Sequence, residues 1–591
     1  MKRPTALALS ILMSMSAFAA DPASPQATSK TTTKRKATSS SSVSAEIQQM
    51  KDALAAQQRQ IEELKQQVSQ RDQAIQQTQQ QLNQIQSSAA AAQSKADEAA
   101  AASAKASENA TTLQQDVTDL KANSTTAALE LQETQKRIAG VESPLAIHYK
   151  GVTITPGAFL AAETVWRQRS LFADINTPFT AIPFPGTGNY NTSEFFGSGR
   201  QSRLSFLVQG KMKSMNLTGY YEMDWLGVGT SSNNNQSNSY VNRQRQLWGQ
   251  AALSNGWTFT GGQMWSLATE TKKGLDNRTE ALPMTIDPQY TVGFSWARQY
   301  GFRVTKNFNN KFWMGASVEN AQTTFSATNA PTNFFFGGPG NNGGLYNAFN
   351  GTYAANYTPD FIVKAAAEPG IGHYEVFAVI SNFRDRVYPG ATLATPTGAG
   401  AFNSNATGWG VGGNARVTVH KVVDLGVHFL GGDGVGRYGT SGLPDVTVNP
   451  DGTPALIRSY QGLGTLEFHT KKWDVYFNGG EEFAGRVSNL NAAGKLVGYG
   501  VPTLTAAGCF TEAVPGSGGF APGSAANCNV ATRNMFEGTG GFWYKVYNGD
   551  RGRLQFGGQY AYLKRMTWQG VGGSPTTNEN MFLTSFRYYL P

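Results

Sequence analysis

Glu222 and Asp224 stand two residues apart in Arg203–Trp225, RLSFLVQGKMKSMNLTGYYEMDW. On an extended chain, residues i and i+2 share a side. Two carboxylates so placed could work as general acid and base, or hold a metal ion. Either chemistry needs further parts: a nucleophile and its base, or histidines and cysteines at ligand spacing. The five histidines, His148, His373, His420, His428 and His469, form no HxxxH or Cys/His group along the chain. Gly408–Gly413, GWGVGG, matches GxGxxG, but no strand–turn–helix pattern surrounds it. We therefore expect no catalytic residues, no metal, no cofactor and no nucleic-acid partner, and the chain does not read as an enzyme.

The element that carries the two carboxylates is an alternating one. Leu217, Gly219, Tyr221, Met223 and Trp225 take one parity, and Thr218, Tyr220, Glu222 and Asp224 the other. With Leu204, Phe206 and Val208 alternating upstream, the stretch predicts a β-hairpin. The same period recurs in Trp473–Asn478, in Leu554–Tyr562 and in Phe582–Leu590. Charged residues make up only 15% of the chain, against about 25% in soluble domains, while Phe, Tyr and Trp are abundant. Beyond the N-terminus no apolar run approaches the ~20 residues of a membrane helix. The expected fold is an all-β transmembrane barrel, in which every second residue faces lipid. A soluble all-β protein would have to bury these aromatic faces under a second sheet.

Connections fall into two sizes that alternate along the chain. Short ones lie near Gly210–Asn216, Ser254–Trp257, Lys306–Lys311, Glu368–Gly372, Val419–Asp424, Thr470–Lys472 and Tyr547–Arg553. Long ones lie near Ser170–Gln201, Gly227–Val241, Leu267–Thr291, Ala321–Tyr357, Arg384–Thr407, Gly432–Arg458, Gly485–Glu537 and Arg565–Glu579. Fifteen connections imply about 16 antiparallel strands, with 14 or 18 compatible with blurred strand ends. Sixteen strands leave an aqueous lumen. Arg203, Glu222, Asp224, Arg303, Glu467 and Arg587 fall on the inward parity, which makes the carboxylate pair wall residues facing water opposite arginines such as Arg203. The direction of Arg243 and Arg245 is not settled by pattern, because neither face of NRQRQLWGQ is clearly apolar. Residues 146–591 carry 34 Lys+Arg and 26 Asp+Glu, a net of +8. A basic lumen concentrates anions, so a mild anion preference is expected.

The N-terminal quarter has a different character. Lys2-Arg3, an apolar stretch over Leu7–Met15 and Ala17-Phe18-Ala19 make residues 1–19 a secretory signal peptide. Residues 20–45 read as a disordered Ser/Thr/Pro-rich tail. From Ile47 a heptad continues through Leu54, Ile61, Val68, Ile75 and Leu82 to Ile138, without Gly or Pro between Glu46 and Ala139. It predicts a coiled coil over 46–141, roughly 140 Å long. Its alanine-rich middle makes a weak seam that needs support from elsewhere; an unpaired single helix is the other reading. The barrel domain is set at 145–591. Cys509 and Cys528, in an exported chain, are expected to form a disulfide.

Several short stretches resemble the DcaP-like trimeric outer-membrane porins and, more distantly, the phosphate-selective porin O/P group. They are SRLSF (Ser202–Phe206), YEMDW (Tyr221–Trp225), GGQMWS (Gly261–Ser266), PDFIVKA (Pro359–Ala365) and GDGVGRY (Gly432–Tyr438). The end Tyr588-Tyr589-Leu590-Pro591 departs from that family's terminal aromatic residue. The resemblance implies a homotrimer in outer-membrane lipid, with the coiled coil in the periplasm, passing small organic anions by passive diffusion. By loop order it implies a constriction from Leu267–Thr291, adding Lys272, Lys273 and Arg278 to the pore-lining set of Arg203, Glu222, Asp224, Arg303 and Arg587. The alternative is a structural role, in which the coiled coil tethers the outer membrane to peptidoglycan.

Overall fold

The computed structural model describes residues 146–227, 240–336, 354–514 and 527–591. The signal peptide, tail and coiled coil expected over 1–141 lie outside the described residues. One antiparallel sheet of nineteen strand segments closes on itself, and sixteen of these make the wall. They are β1 (Val152–Arg167), β2 (Arg203–Lys211), β3 (Met215–Gly227), β4 (Val241–Leu253), β5 (Trp257–Trp265), β6 (Arg298–Phe308), β7 (Phe312–Glu319) and β8 (Asp360–Ala367). The second half is β9 (His373–Val387), β10 (Phe402–Val419), β11 (Val423–Asp433), β12 (Arg458–His469), β13 (Trp473–Ala484), β14 (Thr532–Gly549), β15 (Gly552–Thr567) and β16 (Thr576–Tyr589). Each strand pairs with its chain neighbour, and β1 closes the ring on β16, with Phe159 opposite Tyr589 and Arg167 opposite Met581. All seven short connections and all eight long ones fall where the alternation predicts.

Period two in the sequence becomes two faces of the wall. In β9, Tyr374, Val376 and Ile380 point out and are exposed, while His373, Glu375, Phe377 and Val379 point in and are buried. Phe206, Leu217, Phe302, Phe361, Phe429, Phe477, Phe556, Phe582 and Phe586 are exposed on the outside around the ring. So much contiguous apolar surface is stable only against hydrocarbon or another chain.

Two features depart from a uniform ladder. The wall between β1 and β2 begins earlier than expected, because Glu194–Ser198, inside the long first connection, pairs with Glu163–Arg167 of β1. Four residues, Gly199–Ser202, then face three of β1, and the Ser202 hydroxyl accepts the Ala161 N–H at 2.9 Å across the bulge. Short turns use left-handed residues: Asn309 and Asn310 both have φ near +55°, a conformation asparagine tolerates better than most residues.

The lumen is not the open channel that strand count alone suggests. Long loops pack into it, and a core of Val165, Ile175, Ile182, Ile286, Val292, Tyr476, Trp543 and Leu583 joins them to the wall. Above it, two small hairpins, Val446–Val448 with Pro454–Leu456 and Val487–Leu490 with Leu496–Tyr499, join the loop layer. Asp445 gathers the N–H groups of Thr324 and Arg437 at 2.9 and 2.8 Å. Cys509 and Cys528 are disulfide-bonded beside Phe184 and Ala506.

Candidate pore constriction

Residues 266–297, between β5 and β6, run inside the barrel. Their composition accounts for it: Leu267, Leu275, Ile286, Tyr290, Val292, Phe294 and Trp296 are all buried. A segment carrying this much apolar surface gains by leaving water, provided its backbone groups find partners. Inward side chains of the wall supply them. Glu319 accepts Leu267 N–H at 2.8 Å, and Glu375 accepts Thr271 N–H at 3.1 Å. On the far wall, Gln559 accepts Ile286 N–H at 2.5 Å, Glu537 accepts Val292 N–H at 2.9 Å and Glu482 accepts Gly293 N–H at 2.8 Å. The loop is thus bonded to β7 and β9 on one side and to β13, β14 and β15 on the other. At Gly293 it lies flat on the wall: φ is +87°, and a Cβ there would collide with the Gly462 carbonyl oxygen.

Glu222 and Asp224 point inward, as parity predicts, but neither is simply bathed in lumen water; both are buried. Arg245 donates to Glu222 Oε1 at 2.6 Å and to Asp224 Oδ2 at 2.8 Å. Arg243 binds the same Asp224 carboxylate through Nε and Nη2 at 3.0 and 2.6 Å. Arg203 Nη1 lies 3.5 Å from Glu222 Oε2, which also accepts the Tyr220 hydroxyl at 3.0 Å. The carboxylates therefore balance arginines as parts of a buried ion-pair cluster. A β-bulge explains why Arg243 and Arg245 could not be oriented from pattern. The β3–β4 register shifts between Glu222 and Met223, so Arg245 and Gln246 both face inward and parity reverses there.

The other sequence-derived residues divide into two groups. Arg587 pairs with Glu163 at 2.7 Å and donates to Gln201 at 2.8 Å. Arg303 is inward too, but it is covered by the loop and clamps it through Trp265 O and Asn277 Oδ1. Lys272 and Arg278 are exposed and Lys273 is half-buried, all on the turn closed by the Thr271–Glu280 bridge. Arg278 lies 5.0 Å over the Tyr220 ring. Sequence reasoning missed Arg298, held between Trp265 and Trp296 at 5.2 and 4.9 Å, and Arg553, 4.2 Å over Tyr589. Inward parity in β15 was the signal available for Arg553; Arg298 falls on the parity of the exposed Tyr300 and Phe302 in β6, so alternation gave no signal for it.

Between the loop and the wall formed by β13–β16 and β1–β4 lies a cavity of about 450 Å³. Arg203, Arg245, Arg553 and Arg587 line it, against Glu222, Asp287 and Asp474. Their degrees of exposure set different roles: the Arg203 side chain is 22% exposed and that of Arg245 only 2%, so Arg203 presents charge to solvent while Arg245 braces the wall. Burial pushes the Asp287 carboxyl up to about 6, although it accepts Gln289 N–H at 2.8 Å. From its ordinary value up to about 6, the docked loop keeps a proton that a released loop gives up, so docking weakens as pH rises through that window. Amide exchange over Ile286–Gln289, corrected for intrinsic rate, should show about tenfold greater protection at pH 5 than at pH 7. Asp287→Asn should abolish that difference; an unchanged pH dependence in the variant would assign it to another group.

No protein-family profile matches the sequence, and no curated protein matches it. Solved structures do. The outer membrane channel DcaP of Acinetobacter baumannii aligns over 75% of this chain and 99% of its own, at 14% identity and a TM-score of 0.50. The fold is porin-like. An anion-selective porin from Comamonas acidovorans aligns over 74% of this chain and 100% of its own, at 10% identity and a TM-score of 0.39. OmpT of Vibrio cholerae aligns over 75% of this chain and 99% of its own, at 11% identity and a TM-score of 0.39.

Proposed function

We propose that this chain is an outer-membrane porin through which small anionic solutes diffuse passively. The observation that carries the reading is the arginine-lined space beside the inserted loop. Glu222 is neutralised there by Arg203 and Arg245, and burial raises the Asp287 carboxyl to about 6. Arg553, which stacks on Tyr589, and the excess of Arg203, Arg243 and Arg245 over Glu222 and Asp224 then set the local potential, in line with the net +8 of residues 146–591. The apolar exterior supports insertion in outer-membrane lipid, and the fold shared with an outer-membrane channel supports the location. The heptads of residues 46–141 support a homotrimer with its coiled coils in the periplasm.

The test is the reversal potential of single channels in a KCl gradient. The wild-type protein should reverse on the anion-selective side. Arg203→Gln combined with Arg553→Gln should lower the chloride-to-potassium permeability ratio by about twofold or more, since both side chains face the cavity. Cation preference in the wild-type channel would sink the anionic reading while leaving the porin intact.

A further inference from the structure

At the short-turn rim of the barrel, behind the Asp474 edge of the inserted loop's cavity, three potential ligands converge on the inner face. Asp424, the second residue of β11, sits directly opposite Glu467 of β12 in the ladder. His469 follows Glu467 by two residues and so shares its face. One ligand atom from each lies within 4.8 Å of the others. His469 Nε2 is 3.3 Å from Glu467 Oε2 and 3.7 Å from Asp424 Oδ2. A tetrahedral zinc ion with bonds of ~2.0–2.1 Å separates its ligands by about 3.4 Å, so both measured edges are already close to that spacing.

Two further observations point to a ligand rather than to an ordinary acidic rim. Glu467 is only 1% exposed, and its Oε1 is buried with no hydrogen-bond partner among the described residues. A buried, unsatisfied carboxylate oxygen is costly, and a cation would satisfy it. The imidazole is also oriented from behind: His469 Nδ1 lies 3.0 Å from Asp474 Oδ1, its cross-strand partner, and Lys545 Nζ fixes that carboxylate at 2.8 Å. A carboxylate holding the distal ring nitrogen is the outer-shell arrangement of metal-binding histidines. Thr418 donates to Asp424 Oδ1, leaving Oδ2 facing the histidine. Arg416 is the competing cation: its charge acts on Glu467 and Asp424, but its guanidinium donates to Glu270 at 2.8 Å.

We propose that Asp424, Glu467 and His469 form a divalent-metal site of the zinc class, with Asp474 as the positioning residue and a fourth position open to lumen water. Two carboxylates and a neutral imidazole balance the 2+ charge of the ion, and the mixed N/O set suits zinc better than magnesium or calcium. The site involves no redox change and releases the proton that otherwise bridges Nε2 to the carboxylates.

Full-length protein in detergent, stripped with a chelator and dialysed, should bind one zinc ion per chain on calorimetric titration with zinc chloride. His469→Ala should abolish that binding, and Asp474→Asn should weaken it roughly 10–100-fold. Heat-shifted gel mobility confirms that each variant keeps its barrel. If His469→Ala fails to fold, Asp474→Asn and Glu467→Gln decide the matter. A hundredfold excess of magnesium should leave the zinc bound. Substoichiometric zinc in the wild type, zinc bound equally by the variants, or displacement by magnesium at equal concentration would each overturn the site.

Discussion

Replacing Arg245 with alanine should destabilise the folded barrel by about 3–5 kcal/mol, the cost of removing one partner from a buried ion pair. The side chains of Arg245, Glu222 and Asp224 are 2%, 8% and 1% exposed, so the two carboxylates cannot recover solvation in place. Arg243 would still hold Asp224, but Glu222 would keep only Arg203 at 3.5 Å and the Tyr220 hydroxyl. Arg203→Ala is the control. Its side chain is 22% exposed and its pairing long, so its loss should cost less than about 1 kcal/mol. Arg245→Lys should fall between the two, since a single ammonium cannot bridge two carboxylates as the guanidinium fork does. Urea unfolding in lipid vesicles, followed by tryptophan fluorescence, reads all three. Equal midpoints for Arg245→Ala and Arg203→Ala would show that the cluster is wet and its pairing incidental.

The same residues show which parts of this protein were legible in the sequence. Alternation around Tyr220–Trp225 fixed both the strand and its inward face, because one face must be apolar in a membrane wall and parity allows no compromise. Connection lengths then gave the strand number, and no structural information was needed to place the turns. Alternation loses its meaning where one residue breaks the period. The bulge at Arg245 inverts parity over Gln246–Leu253, and the bulge at Gly199–Ser202 separates Glu194–Ser198 from the strand it extends. Bulges leave no compositional mark in a strand whose two faces are both polar. Long-range pairing was equally hidden. Glu482 and Glu537 each cap a loop N–H about 190 or 245 residues away in sequence, a pairing that no local spacing announces. His469 and its carboxylates follow the same logic, since cross-strand partners such as Asp424 and Asp474 share no local spacing with it.

The inserted loop gives the second large effect. Replacing residues 268–294 with a short Gly/Ser linker should raise single-channel conductance at least about twofold, because a sixteen-stranded wall by itself encloses an aqueous bore. The same change should shift selectivity toward cations. The excised segment carries both signs of charge almost equally, so its own loss changes little. The wall changes more: Glu319, Glu482 and Glu537, which the loop now covers and engages through its N–H groups, would be returned to water, against the two guanidiniums of Arg303 and Arg416 that lose Asn277 and Glu270, while Glu375 stays paired with Lys364 at 2.7 Å. Solvated carboxylates facing a bore attract cations. A gentler variant separates docking from deletion. Gly293→Ala places a methyl group against the Gly462 carbonyl at a backbone angle that alanine rarely adopts, so it should undock the loop while retaining every other residue. Larger, noisier openings with the same shift in reversal potential are expected. Wild-type conductance in both variants would mean that the loop does not limit flow, and the constriction would have to lie in the outer loop layer held together at Asp445.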